Sequence, residues 1–148
     1  MPHKQDLEPL LSAQQSQLNL LFGEGDNIDT KALAILGANI AIIIFIAQAS
    51  LSIPLWQTFL VYSPFLLSLG LNTVSIWPRG YIGAGIDLDK SPQYLRMDRE
   101  TLLLQLLADT QYAIKHNSSL NKQRLRFCVA SILLTGLGFV ILLAILKI

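Results

Sequence analysis

Charge is scarce in this chain, and the shortage is concentrated. Asp, Glu, Lys and Arg make up 14% of the 148 residues against 52% apolar ones, with a mean hydropathy of +0.48, whereas a soluble domain carries roughly a quarter of its residues as charges. From Ala32 to Pro78 there are 47 consecutive residues without Asp, Glu, Lys, Arg or His, and from Phe127 to Leu146 another 20. Both runs exceed what a buried core helix needs. The polar pieces between them are too short to hold cores of their own, which excludes a soluble globule and points to one small membrane protein.

Cysteine is almost missing as well. Cys128 is the single one, so an internal disulfide framework and a multi-cysteine metal site are both excluded, and its place at the start of the last apolar run suits a buried filler. The two histidines, His3 and His116, are isolated and lie in no ligand spacing such as H-E-x-x-H. The Gly80 to Gly85 stretch lacks the Lys-Ser/Thr pair of a phosphate loop and reads as a turn. No nucleophile with a base, and no metal cluster, is visible; an enzyme, a resident metal and a cofactor are not expected. A net charge of +1 carries no nucleic-acid footprint.

The elements can be placed in order. Leu7, Leu10, Leu11, Leu18 and Leu21 recur at helical spacing with Gln14, Gln15 and Gln17 between them, which predicts a short amphipathic helix over residues 5 to 22, ended by Gly23 and Gly25. Asp29 or Thr30 then caps the next helix. The first 31 residues are polar and net acidic rather than basic and apolar, so the first span is expected to be retained rather than cleaved. Forty-seven uncharged residues would extend roughly 70 Å as one helix, more than twice a hydrocarbon core of about 30 Å. They must fold back, best near Pro54, giving spans of about Ala32 to Ser50 and Leu55 to Ile76. Trp56 and Trp77, roughly 31 Å apart along a helix, suit an aromatic anchor at each interface. Ser63-Pro64 and Gly70 predict a kink within the second span.

A long helix follows the glycine-rich turn. Ser91-Pro92 is a start signal, and neither Gly nor Pro interrupts residues 93 to 135, so one helix is expected to continue into the third span. Leu95, Leu102, Leu106, Ala113 and Leu120 mark its apolar side, and Asn117-Ser118-Ser119 is its weakest point. Residues 79 to 126 hold eight basic and five acidic side chains, while the loop between spans one and two has no charge. By the positive-inside rule the amino terminus and the middle segment face the cytoplasm. The expected fold is an all-α membrane protein with three transmembrane helices and a cytoplasmic helical layer, formed by the amino-terminal amphipathic helix and the long helix running into the third span. Its expected divisions are 1–28, 29–78, 79–126 and 127–148.

Polar side chains inside the spans carry the remaining chemistry. Asn39, Gln48 and Asn72 are costly in hydrocarbon unless paired, and hydrogen bonds between helices are the expected solution. Small residues four apart, Gly37 with Ala41 and Ser131 with Thr135, permit close helix approach; intramolecular packing, an oligomeric seam and the polar lining of an opening all fit them. In the cytoplasmic helix, Tyr94, Arg96, Arg99, Gln105, Gln111, Tyr112, Lys115, Lys122 and Arg124 could offer cation and stacking contacts to an anionic, base-containing ligand, or simply face water.

The stretch Asp29-Thr30-Lys31-Ala32-Leu33-Ala34-Ile35-Leu36-Gly37-Ala38-Asn39 resembles the D-x-K-A-x-x-x-L-G-x-N entry into the first span of the Pycsar effector membrane proteins of bacterial antiphage defence. Further likenesses follow in order. Pro78-Arg79 closes the second span, Tyr94 lies in the region of that family's loop tyrosine, and Gln111 precedes Lys122 by 11 positions, similar to the Q-then-K pattern of its cytoplasmic helix. Between Tyr81 and Lys90 the chain departs from the family's tighter aromatic-glycine-acid pattern. The resemblance covers residues from about 5 to the end. It implies an effector in the bacterial inner membrane that senses a cyclic mononucleotide, a cyclic pyrimidine nucleotide above all, as a homo-oligomer and then impairs the bilayer, leading to abortive infection. Tyr94, Gln111 and Lys122 would contact the ligand, and Asp29, Lys31 and Asn39 would couple it to the spans. Helix capping for Asp29, snorkelling for Lys31 and Lys122 and helix packing for the others are the plainer roles. Two other functions fit the same residues: a related effector triggered by a different nucleotide or a protein, and a membrane anchor or structural subunit that recruits a partner.

Overall fold

The computed structural model describes residues 7–48, 54–77, 80–83 and 96–146. Among them the chain is all-helical, without strands, in three helices: α1 (Leu7–Gln48), α2 (Leu55–Ile76) and α3 (Arg99–Leu146). Each is long and apolar enough to cross a bilayer. These are the three spans that charge-free length predicts, and α2 occupies the bounds expected for the second. Pro54 precedes it, and the Pro54 carbonyl accepts from the Gln57 and Thr58 amides at 2.9 and 3.1 Å. The helix continues through Pro64. Trp56 and Trp77 are both exposed at its ends.

The expected break in α1 is absent, and α3 is continuous as expected. α1 runs on through Gly23 and Gly25 into the first span, so the amphipathic helix does not end there and neither Asp29 nor Thr30 is a cap; the Thr30 hydroxyl instead donates to the Asp26 carbonyl one turn back. An interior glycine costs only about 1 kcal/mol relative to alanine, and at Gly25 the missing side chain is used. A Cβ there would meet the Tyr81 hydroxyl at 2.5 Å, so close packing replaces the lost propensity. Likewise α3 passes through Asn117-Ser118-Ser119 without interruption, because the Asn117 amide is committed to tertiary hydrogen bonds rather than to its own backbone.

The start of α3 also differs from expectation. Ser91, Pro92 and Leu95 lie outside the described residues, but Arg96, Met97 and Asp98 are not helical, and the helix begins at Arg99. Asp98 is the cap: its carboxylate accepts from the Thr101 amide at 3.2 Å and from the Thr101 hydroxyl at 2.5 Å. Thr101's hydroxyl, with its backbone N–H second, holds the Asp98 carboxyl below the usual carboxylate range.

The chain divides into two compact units, one of residues 1–25 and 79–121 and the other of 26–78 and 122–148. In the first, α1 and α3 run parallel, with Glu8 paired to Arg99 and the Leu21 carbonyl bonded to Asn121. In the second, α1 and α3 are again parallel and α2 is antiparallel to both, as the pairs Asn39–Ser68, Asn39–Thr135 and Ser75–Arg124 require.

Candidate functional site

The second unit is built inside out relative to a soluble bundle. Many of its large apolar side chains, among them Phe45, Phe59, Leu67, Leu133 and Val140, point outward, as contact with lipid requires. The buried positions follow a seven-residue repeat on each helix: Ala32, Asn39 and Ile46 on α1; Val61, Ser68 and Ser75 on α2; Arg124, Ser131 and Gly138 on α3. A seven-residue period is 3.5 residues per turn, the interval that keeps one seam of a helix facing its partners. Many of these seam residues are polar.

At the centre of the seam stands Ser68, fully buried. Its hydroxyl accepts from Asn39 Nδ2 at 2.7 Å and lies 2.6 Å from the Ser131 hydroxyl and 2.9 Å from that of Thr135. The Ser131 carbonyl is 3.0 Å away as an acceptor. Thr135 in turn donates toward Asn39 Oδ1 at 3.0 Å. All three helices thus meet through side-chain hydrogen bonds, which satisfies the Asn39 amide on both atoms. The small Ser131 and Thr135 serve close approach between helices of one chain.

A second polar cluster closes the seam seven residues away on α2. Arg124, 3% exposed, donates through Nε to the Ser75 carbonyl at 2.8 Å and forms an ion pair with Asp29, whose side chain is 36% exposed. Ser75 returns a hydrogen bond from its hydroxyl to the Arg124 carbonyl at 3.2 Å. A guanidinium buried to this degree needs its partners, since removing one leaves an uncompensated charge. Between the clusters lies Asn72, fully buried, with neither amide atom hydrogen-bonded within the described residues. The expected interhelical bond is therefore found at Asn39 and not at Asn72.

In the first unit a short non-helical segment, residues 80–83, is tied to the helices by side chains. Asn117 grips Ile82 as a strand neighbour would, its Oδ1 accepting from the Ile82 amide at 3.0 Å and its Nδ2 donating to the Ile82 carbonyl at 2.8 Å. Tyr81 donates to Asn121 Oδ1 at 2.5 Å and packs edge-on against Phe22. Asn121 then donates to the Leu21 carbonyl at 2.8 Å, so both of its amide atoms are used. Earlier on α3, Tyr112 stacks on His116, whose Nε2 lies 3.3 Å from the Gly80 carbonyl.

Of the residues expected to contact a ligand, Tyr94 lies outside the described residues. Gln111 is exposed on α3 in the first unit, and Lys122 is exposed in the second. The coupling residues separate into two kinds. Asp29 and Asn39 belong to the buried seam through Arg124, Ser68 and Thr135, whereas Lys31 points outward. Sequence reasoning missed Ser68, Ser75, Asn117 and Asn121. Seven-residue spacing of polar residues, Ser68 with Ser75 and Arg124 with Ser131, is the signal that marks the seam. Among the described residues no group of three His, Cys, Asp or Glu side chains converges to hold a metal. Comparison with protein-family models, curated proteins and solved structures finds no match to this chain.

Proposed function

We propose that the chain is a membrane effector of bacterial antiphage defence, residing in the inner membrane with its first unit in the cytoplasm, and that a cyclic mononucleotide triggers it to impair the bilayer. The observation that carries this reading is the hydrogen-bonded seam of Asn39, Ser68, Ser131 and Thr135 within helices apolar enough to cross a membrane. An inert anchor packs well enough with small apolar residues. Polar side chains inside a membrane bundle are costly and are retained where they line a path or bias a conformation. The resemblance of Asp29 to Asn39 to the Pycsar effectors supplies the class of trigger, with a cyclic pyrimidine nucleotide favoured and Tyr94, Gln111 and Lys122 as contacts. Binding drives a rearrangement only to the extent that the ligand prefers one arrangement over the other. Self-association into a homo-oligomer is part of this reading.

The test has two arms. Cells expressing the protein alone should keep their membrane potential and lose it when a pyrimidine nucleotide cyclase is co-expressed. Detergent-purified protein should show a raised melting temperature with a cyclic pyrimidine mononucleotide, since a ligand at 100 times its Kd stabilises by about 2.7 kcal/mol. Depolarisation by a different cyclic nucleotide would redirect the reading to a related effector. No thermal shift with any cyclic mononucleotide and no depolarisation would leave the anchor.

A further inference from the structure

The seam of the second unit changes character along its length. From Asp29 to Asn39 on α1, about 15 Å of helix, it is polar: the Arg124 cluster at one end, the Ser68 cluster at the other, and Asn72 between them. Beyond Asn39 its buried residues are apolar. Ile46, Val61, Phe65 and Leu142 form one buried cluster, and the Phe65 ring lies so close to Gly138 that a Cβ there would meet it at 2.7 Å. About 10 Å of a hydrocarbon core of about 30 Å, from the start of the span at Ala32 to Asn39, thus carries amides and hydroxyls in its seam, with the Asp29–Arg124 pair at its edge, and the remainder is sealed by the apolar cluster around Phe65.

Asn72 gives the polar half its meaning. A fully buried amide with neither atom bonded forfeits about 1–3 kcal/mol for each unsatisfied group. Its own helix places it one turn from Ser68 and one turn from Ser75. The seam positions between the two clusters on α1 and α3 are Ala32 and Cys128, both buried, and neither carries a strong hydrogen-bonding group. A water on either side of Asn72 would satisfy its amide and join the two clusters into one hydrogen-bonded track.

We propose that the polar half of the seam is a hydrated half-channel for water and protons, and that the Phe65 cluster is the hydrophobic plug that closes it. An apolar constriction excludes water and with it any proton relay; parting or polarising it lets water bridge the gap, and protons then move down their gradient without any covalent step. This assigns the membrane-impairing step of the function proposed above and rests on that reading for its trigger, but the track and plug can be tested with no trigger at all.

The full-length protein is reconstituted into phosphatidylethanolamine–phosphatidylglycerol vesicles that hold a pH-sensitive dye, with a potassium diffusion potential to drive protons inward. Wild-type vesicles should be tight. Phe65→Ser and Val61→Ser should each raise proton influx about tenfold or more, with a co-entrapped larger dye retained. Phe45→Ser, on the outward face, should not. Adding Asn72→Leu to Phe65→Ser should return influx to the wild-type rate by breaking the track. Tight vesicles for both plug variants with wild-type helical content overturn the proposal, as does a leak indifferent to Asn72→Leu or accompanied by release of the larger dye. An effector that fails to depolarise cells on signal would instead sink the functional reading, and the vesicle result would be unaffected.

Discussion

The hydrogen bond between Asn39 and Ser68 should be measurable as a coupling free energy. Asn39 Nδ2 donates to Ser68 Oγ at 2.7 Å and Oδ1 accepts from Thr135 at 3.0 Å, so Asn39→Ala deletes two bonds. Inside membranes a side-chain hydrogen bond averages about 0.6 kcal/mol and reaches about 1.7, which puts this substitution at about 1–3 kcal/mol. Thr135 and Ser68 remain 2.9 Å apart and can still satisfy one another, which holds the cost toward the lower end. Ser68→Ala is expected to cost about as much, because Ser68 is the hydroxyl on which α1 and α3 converge. Each single substitution removes the shared Asn39–Ser68 bond, so the double variant should cost less than their sum by about 0.6–1.7 kcal/mol. Reversible unfolding in mixed micelles, followed by circular dichroism as the denaturing detergent fraction rises, gives all four corners of the cycle. Additivity within about 0.3–0.5 kcal/mol, the limit for independent sites, would refute the seam as drawn.

Two further outcomes follow from the helix interiors and the α3 start. Gly23 has nothing within 4 Å of where a Cβ would stand, whereas at Gly25 a Cβ meets Tyr81 at 2.5 Å; Gly23→Ala should therefore stabilise by about 0.5–1 kcal/mol, and Gly25→Ala should lower the melting temperature and release Tyr81 from Asn121, seen as a change in tyrosine fluorescence. Equal gains from both substitutions would contradict the packing at Gly25. Asp98 is a carboxylate whose pKa is lowered by Thr101, so its support of α3 is fully present above the ordinary carboxylate range and is lost as pH falls through the lowered value. Carboxyl carbon NMR should find Asp98 titrating below about 3.9 and returning toward it in Thr101→Val; an unshifted Asp98 in the wild type would remove the cap.

The fold was legible because its signal is one of quantity. Forty-seven residues without a charge cannot be a single span, and α1 ends at Gln48 while α2 begins directly after Pro54. Local punctuation was a poorer guide. Gly23 and Gly25 read as a stop, yet α1 ignores both, since a cost of about 1 kcal/mol is small against the packing of Tyr81 over Gly25. The same imbalance explains α3, where Asn117 spends its amide on Ile82 rather than on ending its own helix. Tertiary partners more than 30 positions away decide these points, and no window of sequence contains them.

The seam was legible only in part, and the reason is the solvent. In water, seven-residue periodicity is read from apolar residues against a polar background. Here the background is apolar, so Ser68, Ser75, Ser131 and Arg124 carry the repeat while large apolar residues occupy the outward positions. Asn39 stood out as an amide in a span, but its partners are hydroxyls, which sequence reading discounts because serine and threonine can bond their own helix. Thr135 does so, donating toward the Ser131 carbonyl at 3.0 Å, and also reaches Asn39. Polar spacing in an apolar segment therefore carries the information that apolar spacing carries elsewhere. Applied to this chain it selects Ser68, Ser75, Arg124 and Ser131, and it places Asn72 among them as the one fully buried amide for which the described residues offer no protein partner.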